Sequence, residues 1–260
     1  MTTFAATDGA RLTYTELGPR GGIPLLFLHG WLADGGIWAP VTARLARHHR
    51  TIALDLRGFG ESKDAPGPYR VETLADDVSA LIAALDLDPL VAIGHSMGAG
   101  IAQRFAIDRP DAVEGLVLVA PVPPGGMPLS PAALQMFREV PGDAAKTAAW
   151  LGKLTYCEPT SAVVALMRRA AAAVRPGVAL ESLASWTALD FAADVATIET
   201  PTLVLAPAYD RPMTPQLARE RVADLIEGSR FEIVPDAGHY VPLERPEAVA
   251  EAIERFVMDL

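Results

Sequence analysis

The sequence predicts an α/β fold, in which helices flank a mostly parallel sheet and a helical segment is inserted after the sixth strand. Three observations lead to this prediction: continuous apolar runs, helical periodicity between these runs, and one long segment without a convincing strand pattern. Continuous apolar runs are typical of strands that helices cover on both faces. Strands that alternate with helices favour a parallel sheet with right-handed crossovers.

The runs that predict the parallel strands are rich in leucine and β-branched residues. They are Leu25–His29, Thr51–Asp55, Leu90–Gly94, Gly115–Val119, Thr202–Ala206 and Arg230–Pro235. Before them, the turn signal Asp8-Gly9 predicts an antiparallel hairpin at the edge of the sheet. Between them, apolar positions from Leu74 to Leu85 repeat with helical spacing, and Pro246 is typical of the first turn of a last helix.

The segment after the sixth strand interrupts the alternation of strands and helices. It opens with several prolines and glycines and continues as alanine-rich helical sequence that carries aromatic side chains, among them Trp150 and Trp186. We therefore expect a core domain formed by residues 1–120 and 195–260, and a helical cap formed by residues 121–194.

The composition excludes several classes of protein. Half of the 260 residues are apolar and the net charge is −10, which argues against the clustered basic surface that nucleic-acid binding needs. No apolar run reaches the roughly 18 residues of a membrane-spanning helix, and the first residues lack the pattern of a signal peptide. We expect a cytoplasmic protein that binds neither nucleic acid nor membranes, and the sequence leaves its oligomeric state open.

No pattern in the sequence predicts a metal or a cofactor. The single cysteine, Cys157, cannot form a disulfide within the chain and is interpreted as a small apolar filler. No group of residues has metal-ligand spacing, and Gly58-Phe-Gly60 is too short for a phosphate-binding loop. We therefore expect a protein without a metal or a cofactor.

One short motif predicts a nucleophile. Gly94-His-Ser-Met-Gly98 fits the pattern G-x-S-x-G, directly follows a predicted strand and opens a helical stretch. That context is the one in which a serine is exposed on a strained strand-to-helix turn. Glycines are needed on both sides, because a side chain at either position would collide with the neighbouring strand or helix. Ser96 is therefore the candidate nucleophile.

A serine nucleophile needs a base, and the chain offers five histidines. His48 and His49 lie in a polar stretch before a strand, and the side chain of His95 should point away from the adjacent Ser96. His29 belongs to a separate turn. His239 follows the last predicted strand, where a loop can carry it over the carboxyl edge of the sheet, and it is the candidate base.

The base in turn needs a carboxylate that holds the imidazole in the right tautomer. In a fold of this kind the acid follows a strand and lies between the serine and the histidine in chain order. Asp210 follows the predicted strand Thr202–Ala206 and is the candidate. Asp236, which shares a loop with His239, is the alternative.

An oxyanion formed during attack needs backbone N–H groups as donors. We assign this role to the N–H groups of Trp31, in the turn after the strand Leu25–His29, and of Met97, which follows the nucleophile. Trp150 and Trp186 of the expected cap, with Tyr240 beside the base, are the candidate walls of a substrate pocket.

Together these features resemble the α/β-hydrolase superfamily, in its branch of small esterases, enol-lactonases and cofactor-free haloperoxidases. The resemblance covers nearly the whole chain and rests on His29–Trp31, Asp55–Ser62, Gly94–Gly98, Pro201–Leu205 with Asp210, and Gly238-His239 followed by Pro242–Pro246. It implies the α/β-hydrolase fold and a mostly structural role for the segment 55–62. The chain departs from the family pattern at Pro207, where a glycine is usual three residues before the acid.

A serine nucleophile predicts acyl transfer to water, whereas the dehalogenases and epoxide hydrolases of this fold need a carboxylate nucleophile. We therefore expect a small-molecule substrate, a fairly apolar carboxylic ester or a lactone, cleaved through an acyl-enzyme. Perhydrolysis, C–C bond hydrolysis and hydroxynitrile lyase chemistry use the same kind of triad and remain alternatives. A non-catalytic ligand-binding protein with this fold is another, because a fold does not fix a function.

Overall fold

The computed structural model of the chain describes residues 1–87, 89–127, 129–156 and 161–260, the first three residues of the last range by their backbone alone. Cys157 lies outside the described residues, so its interpretation as an apolar filler stays a prediction.

A single mostly parallel sheet forms the centre of the molecule. Its strands are β1 (Thr2–Ala5), β2 (Arg11–Leu17), β3 (Leu25–Leu28), β4 (Thr51–Asp55), β5 (Leu90–His95), β6 (Val113–Val119), β7 (Thr202–Pro207) and β8 (Arg230–Val234). Their order across the sheet is β1-β2-β4-β3-β5-β6-β7-β8. β1 pairs antiparallel with β2, and β2 pairs antiparallel with β4. The pairs from β4 to β8 are parallel.

The strands lie close to where the apolar runs predict them. β3, β4, β5 and β7 are buried at every position, as continuous apolar strands between two layers of helices should be. β8 is the edge strand at the parallel side of the sheet, and its exposure is mixed. β6 begins at Val113, two residues before the predicted start. The predicted fold class, with its antiparallel edge hairpin, is confirmed.

Helices cover the sheet and fill the segment between β6 and β7. They are α1 (Ala39–Leu45), α2 (Val71–Leu85), α3 (Met97–Asp108), α4 (Pro131–Glu139), α5 (Ala144–Leu154), α6 (Ser161–Ala173), α7 (Pro176–Thr187), α8 (Pro215–Arg221), α9 (Val241–Glu244) and α10 (Pro246–Met258). Among the described residues, none of the helices has both the length and the apolar character required to span a bilayer.

Helices α4 to α7 lie between β6 and β7, and the described residues of this segment contain no strand. Local signals set where the first two begin. The side chain of Ser130 accepts the backbone N–H of Ala133 in α4, and that of Asp143 accepts the backbone N–H groups of Ala145 and Lys146 in α5. We call residues 121–194 the cap and residues 1–120 and 195–260 the core; that the two are separate domains stays a prediction.

The segment 55–62 supports the core through a buried ion pair. The guanidinium of Arg57, which is 2% exposed, donates to both carboxylate oxygens of Asp77 in α2 at 2.6 and 2.8 Å. It also donates to Asp8 in the turn between β1 and β2, at 2.7 and 3.2 Å. Burial raises the pKa of Asp77, although the neighbouring Arg57 opposes this shift. Arg57 thus joins the edge hairpin, the loop after β4 and α2.

Candidate active site

Three loops that leave the carboxyl edge of the sheet carry the predicted catalytic residues. Ser96 directly follows β5, Asp210 follows β7 by three residues, and His239 follows β8 by five. Carboxyl ends of parallel strands share one edge of a sheet, which is where open α/β sheets bind their ligands. The fold therefore brings together residues that are far apart in the sequence.

The three side chains form one hydrogen-bonded series. Nε2 of His239 lies 3.0 Å from Oγ of Ser96, and Nδ1 of His239 lies 2.7 Å from Oδ2 of Asp210. The second oxygen of the buried Asp210 accepts the backbone N–H of Met213 at 3.1 Å. Because a carboxylate only accepts, Nδ1 carries the proton of the neutral ring, and Nε2 is left as the acceptor that faces the serine. Asp236, the alternative acid, is exposed.

The backbone around Ser96 is strained and tightly packed. Ser96 has φ +55° and ψ −117°, in the positive-φ region that non-glycine residues rarely adopt. A Cβ atom on Gly94 would lie 2.3 Å from the carbonyl oxygen of Gly98, and one on Gly98 would lie 2.4 Å from the carbonyl oxygen of Leu28. Side chains at both positions are therefore excluded by backbone atoms, and the turn holds Ser96 at the start of α3.

The turn after β3 packs directly on Ser96. A Cβ atom on Gly30 would lie 3.0 Å from Cβ of Ser96. Nε2 of His29 accepts the backbone N–H of Leu56 at 3.1 Å, so Nδ1 carries the proton and donates to the carbonyl of Gly30 at 2.8 Å. Burial lowers the pKa of His29, which keeps the ring neutral. In a trans peptide the C=O and N–H point in opposite directions, so this bond also fixes the direction of the Trp31 N–H.

The two N–H groups assigned to the oxyanion hole are buried and available. Trp31 is 4% exposed and Met97 is 1% exposed. Within the described parts of the chain, neither backbone N–H donates a hydrogen bond to another residue. Buried N–H groups normally have partners, so these two can bind an oxygen of a substrate. Their role in catalysis stays a prediction.

A small cavity of about 30 Å³ adjoins Ser96 and His239. The three residues predicted to wall a pocket, Trp150, Trp186 and Tyr240, all line it. Sequence reasoning missed further apolar lining residues, namely Val122, Met127, Phe137, Leu154, Pro212 and Met213. Those in the helical parts of the cap belong to ordinary apolar stripes, and nothing in the sequence distinguishes them from residues that only pack.

Aromatic rings of the cap and of Trp31 pack together along one wall of this cavity. Trp31 meets Trp150 at a centroid distance of 5.5 Å with an interplanar angle of 89°, and it meets Trp186 at 6.1 Å. Phe137 lies 5.7 Å from Trp186. The indole N–H of Trp31 donates to the carbonyl of Ala179 in α7 at 2.9 Å. The rings thus pack the cap onto the core and line the cavity as well.

Comparisons with known proteins support the fold described above. A family model described as the alpha/beta hydrolase family matches residues 25–252. A putative non-heme bromoperoxidase of Mycobacterium tuberculosis is 33% identical, over 94% of this chain and 97% of that protein. Solved structures that cover 99% of the chain include those of an esterase and an enol-lactonase. A thermophilic esterase from Thermogutta terrifontis, of which 98% is covered, has 30% identity and a TM-score of 0.86. An enol-lactonase from Burkholderia xenovorans LB400, covered completely (100%), has 26% identity and a TM-score of 0.89.

Proposed function

The chain belongs to the alpha/beta hydrolase family, and we propose that it is a serine hydrolase that cleaves small, fairly apolar carboxylic esters or lactones. The observation that carries this proposal is the hydrogen-bonded series from Ser96 through His239 to Asp210, with distances of 3.0 and 2.7 Å. A nucleophile within reach of a base, with the base oriented by a third group, is the arrangement that activates a serine.

In the acylation step, Oγ of Ser96 attacks the carbonyl carbon of the ester and Nε2 of His239 takes the serine proton. Asp210 stabilises the imidazolium that forms, and the N–H groups of Trp31 and Met97 bind the negatively charged oxygen. His239 then gives its proton to the alcohol oxygen as the C–O bond breaks. The alcohol leaves, and the acyl group remains on Ser96.

In the deacylation step, water takes the place of the alcohol. His239 takes a proton from the water, the resulting oxygen attacks the acyl carbon, and the proton passes to Oγ of Ser96 as the acid leaves. For a lactone, the alcohol and the acid are parts of one molecule, so the product is a hydroxy acid. Both steps use the same side chains and the same two N–H donors.

The cavity supports a small and apolar acyl group. Its volume of about 30 Å³ is a few times the roughly 10–15 Å³ that one water needs on a comparable measure. Its walls are the rings of Trp150, Trp186 and Tyr240 together with aliphatic and methionine side chains. Burial raises the pKa of Tyr240, so its hydroxyl stays protonated and adds no charge to these walls. The solved relatives named an esterase and an enol-lactonase give independent support for this substrate class.

A second candidate, perhydrolysis, is favoured by the names of two relatives. One is the bromoperoxidase from Mycobacterium tuberculosis, and the other is a non-heme chloroperoxidase of Streptomyces lividans that is 29% identical over 99% of both chains. In this reaction hydrogen peroxide replaces water in deacylation, and the products are a peracid and free Ser96. The first half of the reaction, and the residues that perform it, are unchanged.

The test is a panel of p-nitrophenyl esters and simple lactones of increasing acyl length, with Ser96→Ala as the control. We expect turnover of short acyl esters by the wild type and none above background by the variant. Adding hydrogen peroxide separates the two candidates, because a perhydrolase then forms peracid in competition with the free acid. Failure of the wild type to cleave any ester or lactone would contradict the proposal.

A further inference from the structure

His95 lies between Gly94 and the nucleophile, and the triad makes no use of it. Its side chain is fully buried, and its Nε2 lies 2.8 Å from the backbone carbonyl oxygen of His239. A carbonyl oxygen only accepts, so Nε2 of His95 carries the proton and donates. The residue before the nucleophile is thus hydrogen-bonded to the backbone of the base.

The ring of His95 is held in this orientation from several sides. Trp38 meets it edge to face at a centroid distance of 6.3 Å, and Tyr240 lies 5.7 Å away. A Cβ atom on Gly30 would lie 2.9 Å from Nδ1 of His95, so the ring fits only because this position is a glycine. Nδ1 has no hydrogen-bond partner within the described residues. Burial, with the nearby His239, lowers the pKa of His95 well below its usual range, so the ring stays neutral and keeps the donor on Nε2.

The backbone of His239 is anchored on its other side as well. Its N–H donates to the carbonyl of Leu154, at the end of α5 in the cap, at 2.7 Å. A Cβ atom on Gly238 would lie 2.5 Å from that carbonyl oxygen, so the loop and the end of α5 are in close contact. His95 supplies the anchor from the core, and Leu154 supplies the anchor from the cap.

We propose that His95 is a positioning residue, which holds the backbone of His239 so that Nε2 of the base stays in line with Oγ of Ser96. This proposal rests on the proposed function, because it assigns His95 a part in the work of that triad. His95 and Ser96 are neighbours in one rigid turn, so the hydrogen bond ties the base to the nucleophile's own backbone. The bond with Asp210 fixes the direction of the imidazole, and the bond from His95 fixes its distance from the serine.

The size of the expected effect follows from the geometry of proton transfer. A displacement of a reacting group by about 1 Å costs on the order of a hundredfold in rate. Loss of one of two backbone anchors should produce part of that displacement. His95 also lines the cavity, so a variant of similar volume that keeps the donor is needed as a control for changes in the cavity wall. The expected signature is therefore a lower kcat with KM almost unchanged.

The experiment compares two variants of similar volume, His95→Gln and His95→Met. The amide of glutamine can reach the carbonyl of His239 and donate, whereas methionine has no donor. For the methionine variant we expect kcat on a short p-nitrophenyl ester to fall about tenfold to a hundredfold, with KM changed less than about twofold. The glutamine variant should recover most of the lost kcat. Fluorophosphonate labelling of Ser96 should slow in parallel with kcat.

A second readout does not depend on turnover. The proton on Nδ1 of His239, which is shared with Asp210, gives a far-downfield signal in proton NMR spectra. We expect this signal in the wild type and in His95→Gln, and a shifted or broadened signal in His95→Met. If the methionine variant does not fold, His95→Asn replaces it, since its amide is too short to reach the carbonyl and its side chain is smaller. We expect the asparagine variant to show the same loss of kcat and the same change in the signal.

Wild-type kcat in a folded donor-free variant would overturn the proposal. An equal loss in the glutamine and methionine variants, at equal melting temperatures, would overturn it too, because the donor would then not be the cause. A wild type that cleaves no ester and shows no labelling of Ser96 would instead refute the proposed function. In that case an unchanged NMR signal in the donor-free variants would refute the positioning role separately.

Discussion

The core and the cap contribute to the site with different kinds of contact. On the core side, His239 and Asp210 are joined to Ser96 and to the backbone by hydrogen bonds of 2.7 to 3.1 Å. On the cap side, the rings of Trp150 and Trp186 pack edge to face against Trp31 of the core, and within the described residues their buried indole N–H groups have no hydrogen-bond partner. The one hydrogen bond described from the cap to the triad uses backbone atoms, from the N–H of His239 to the carbonyl of Leu154. On the proposed function, we expect the core to set the rate of bond cleavage and the cap to set which acyl group fits.

The largest loss of kcat is expected when Ser96, the candidate nucleophile, is replaced. Ser96→Ala should lower kcat by on the order of 10⁶, because no other group replaces its oxygen, and the melting temperature should hardly change. Ser182→Ala is the control: this serine is also buried, and its hydroxyl donates to carbonyls of its own helix in the cap, away from the triad. Steady-state kinetics with differential scanning calorimetry measure both properties. Residual activity within tenfold of the wild type would contradict the assignment.

The second largest loss of kcat is expected when Asp210, the candidate acid, is replaced. Asp210→Asn should reduce kcat by about 10⁴ with KM nearly unchanged, because the amide donates where the carboxylate accepts and the tautomer of His239 is no longer controlled. Asp236→Asn is the matched control in the neighbouring loop and should retain activity. The reverse pattern, with an active Asp210→Asn and an inactive Asp236→Asn, would show that the acid is Asp236.

The buried ion pair between Arg57 and Asp77 should affect the free energy of unfolding rather than the reactivity of Ser96. Arg57→Met leaves Asp77 buried without its cation, so we expect the free energy of unfolding to fall by about 3–5 kcal/mol. Arg20→Met, at an exposed ion pair with Glu16, should cost less than about 1 kcal/mol. Urea unfolding measures both. The labelling rate of folded Arg57→Met should match the wild type, and a loss of labelling in fully folded protein would give the segment 55–62 a catalytic role.

In the cap, a smaller side chain should change substrate preference. Trp150→Leu or Trp186→Leu should shift kcat/KM towards longer acyl groups, and each added methylene that fits is worth about 1–3 kcal/mol. Phe105→Leu, at a buried core ring that does not line the cavity, is the control and should lower only the melting temperature. If the order of substrates is unchanged in both tryptophan variants while their melting temperatures fall, these rings only pack the cap onto the core.

The smallest expected effect is the change of the free energy of unfolding with pH that is due to the buried His29 and His95. Burial lowers the pKa of His29 and of His95 below the value of about 6.5 that unfolded histidine has. Below pH 6.5 the unfolded chain therefore binds more protons than the folded chain, and stability falls as the pH falls through this window. The loss is at most about 1.4 kcal/mol per pH unit for each histidine.

Urea unfolding at pH 7.5 and 5.5 measures this dependence. Comparison with His95→Gln isolates one histidine, because acidic groups whose pKa is raised by burial, such as Asp77, contribute equally to both proteins. The variant should lose less stability than the wild type between the two pH values. Equal losses would mean that His95 is not kept neutral by the fold.

The sequence predicts the core better than the cap, for a physical reason. Ser96, Asp210 and His239 each follow an apolar strand, and parallel strands bring such positions to one edge whatever the details of packing. The glycines beside Ser96 could be predicted because the close approach they permit is local to the turn. Some strand ends differ from the prediction by one or two residues, since the apolar pattern does not fix where pairing stops.

The cap contacts could not be predicted, because they depend on how helices orient against the core. Phe137 and Leu154 lie on helices whose apolar stripes fit several packings, and only the folded chain brings them to the cavity. The bond from His239 to Leu154 joins backbone atoms, which no residue type signals. The sequence does not indicate the bond from His95 to the carbonyl of His239 either. It predicts only that the ring of His95 points away from Ser96.

The most direct test of Ser96 as the nucleophile is to find which residue reacts with a covalent probe. A fluorophosphonate probe is incubated with the native protein, and the labelled peptide is identified by mass spectrometry, with the Ser96→Ala and Asp210→Asn variants alongside. We expect one label per chain on Ser96, much slower labelling of Asp210→Asn, and none of Ser96→Ala. A label on another residue of the native protein, or undiminished labelling of Ser96→Ala, would contradict this assignment.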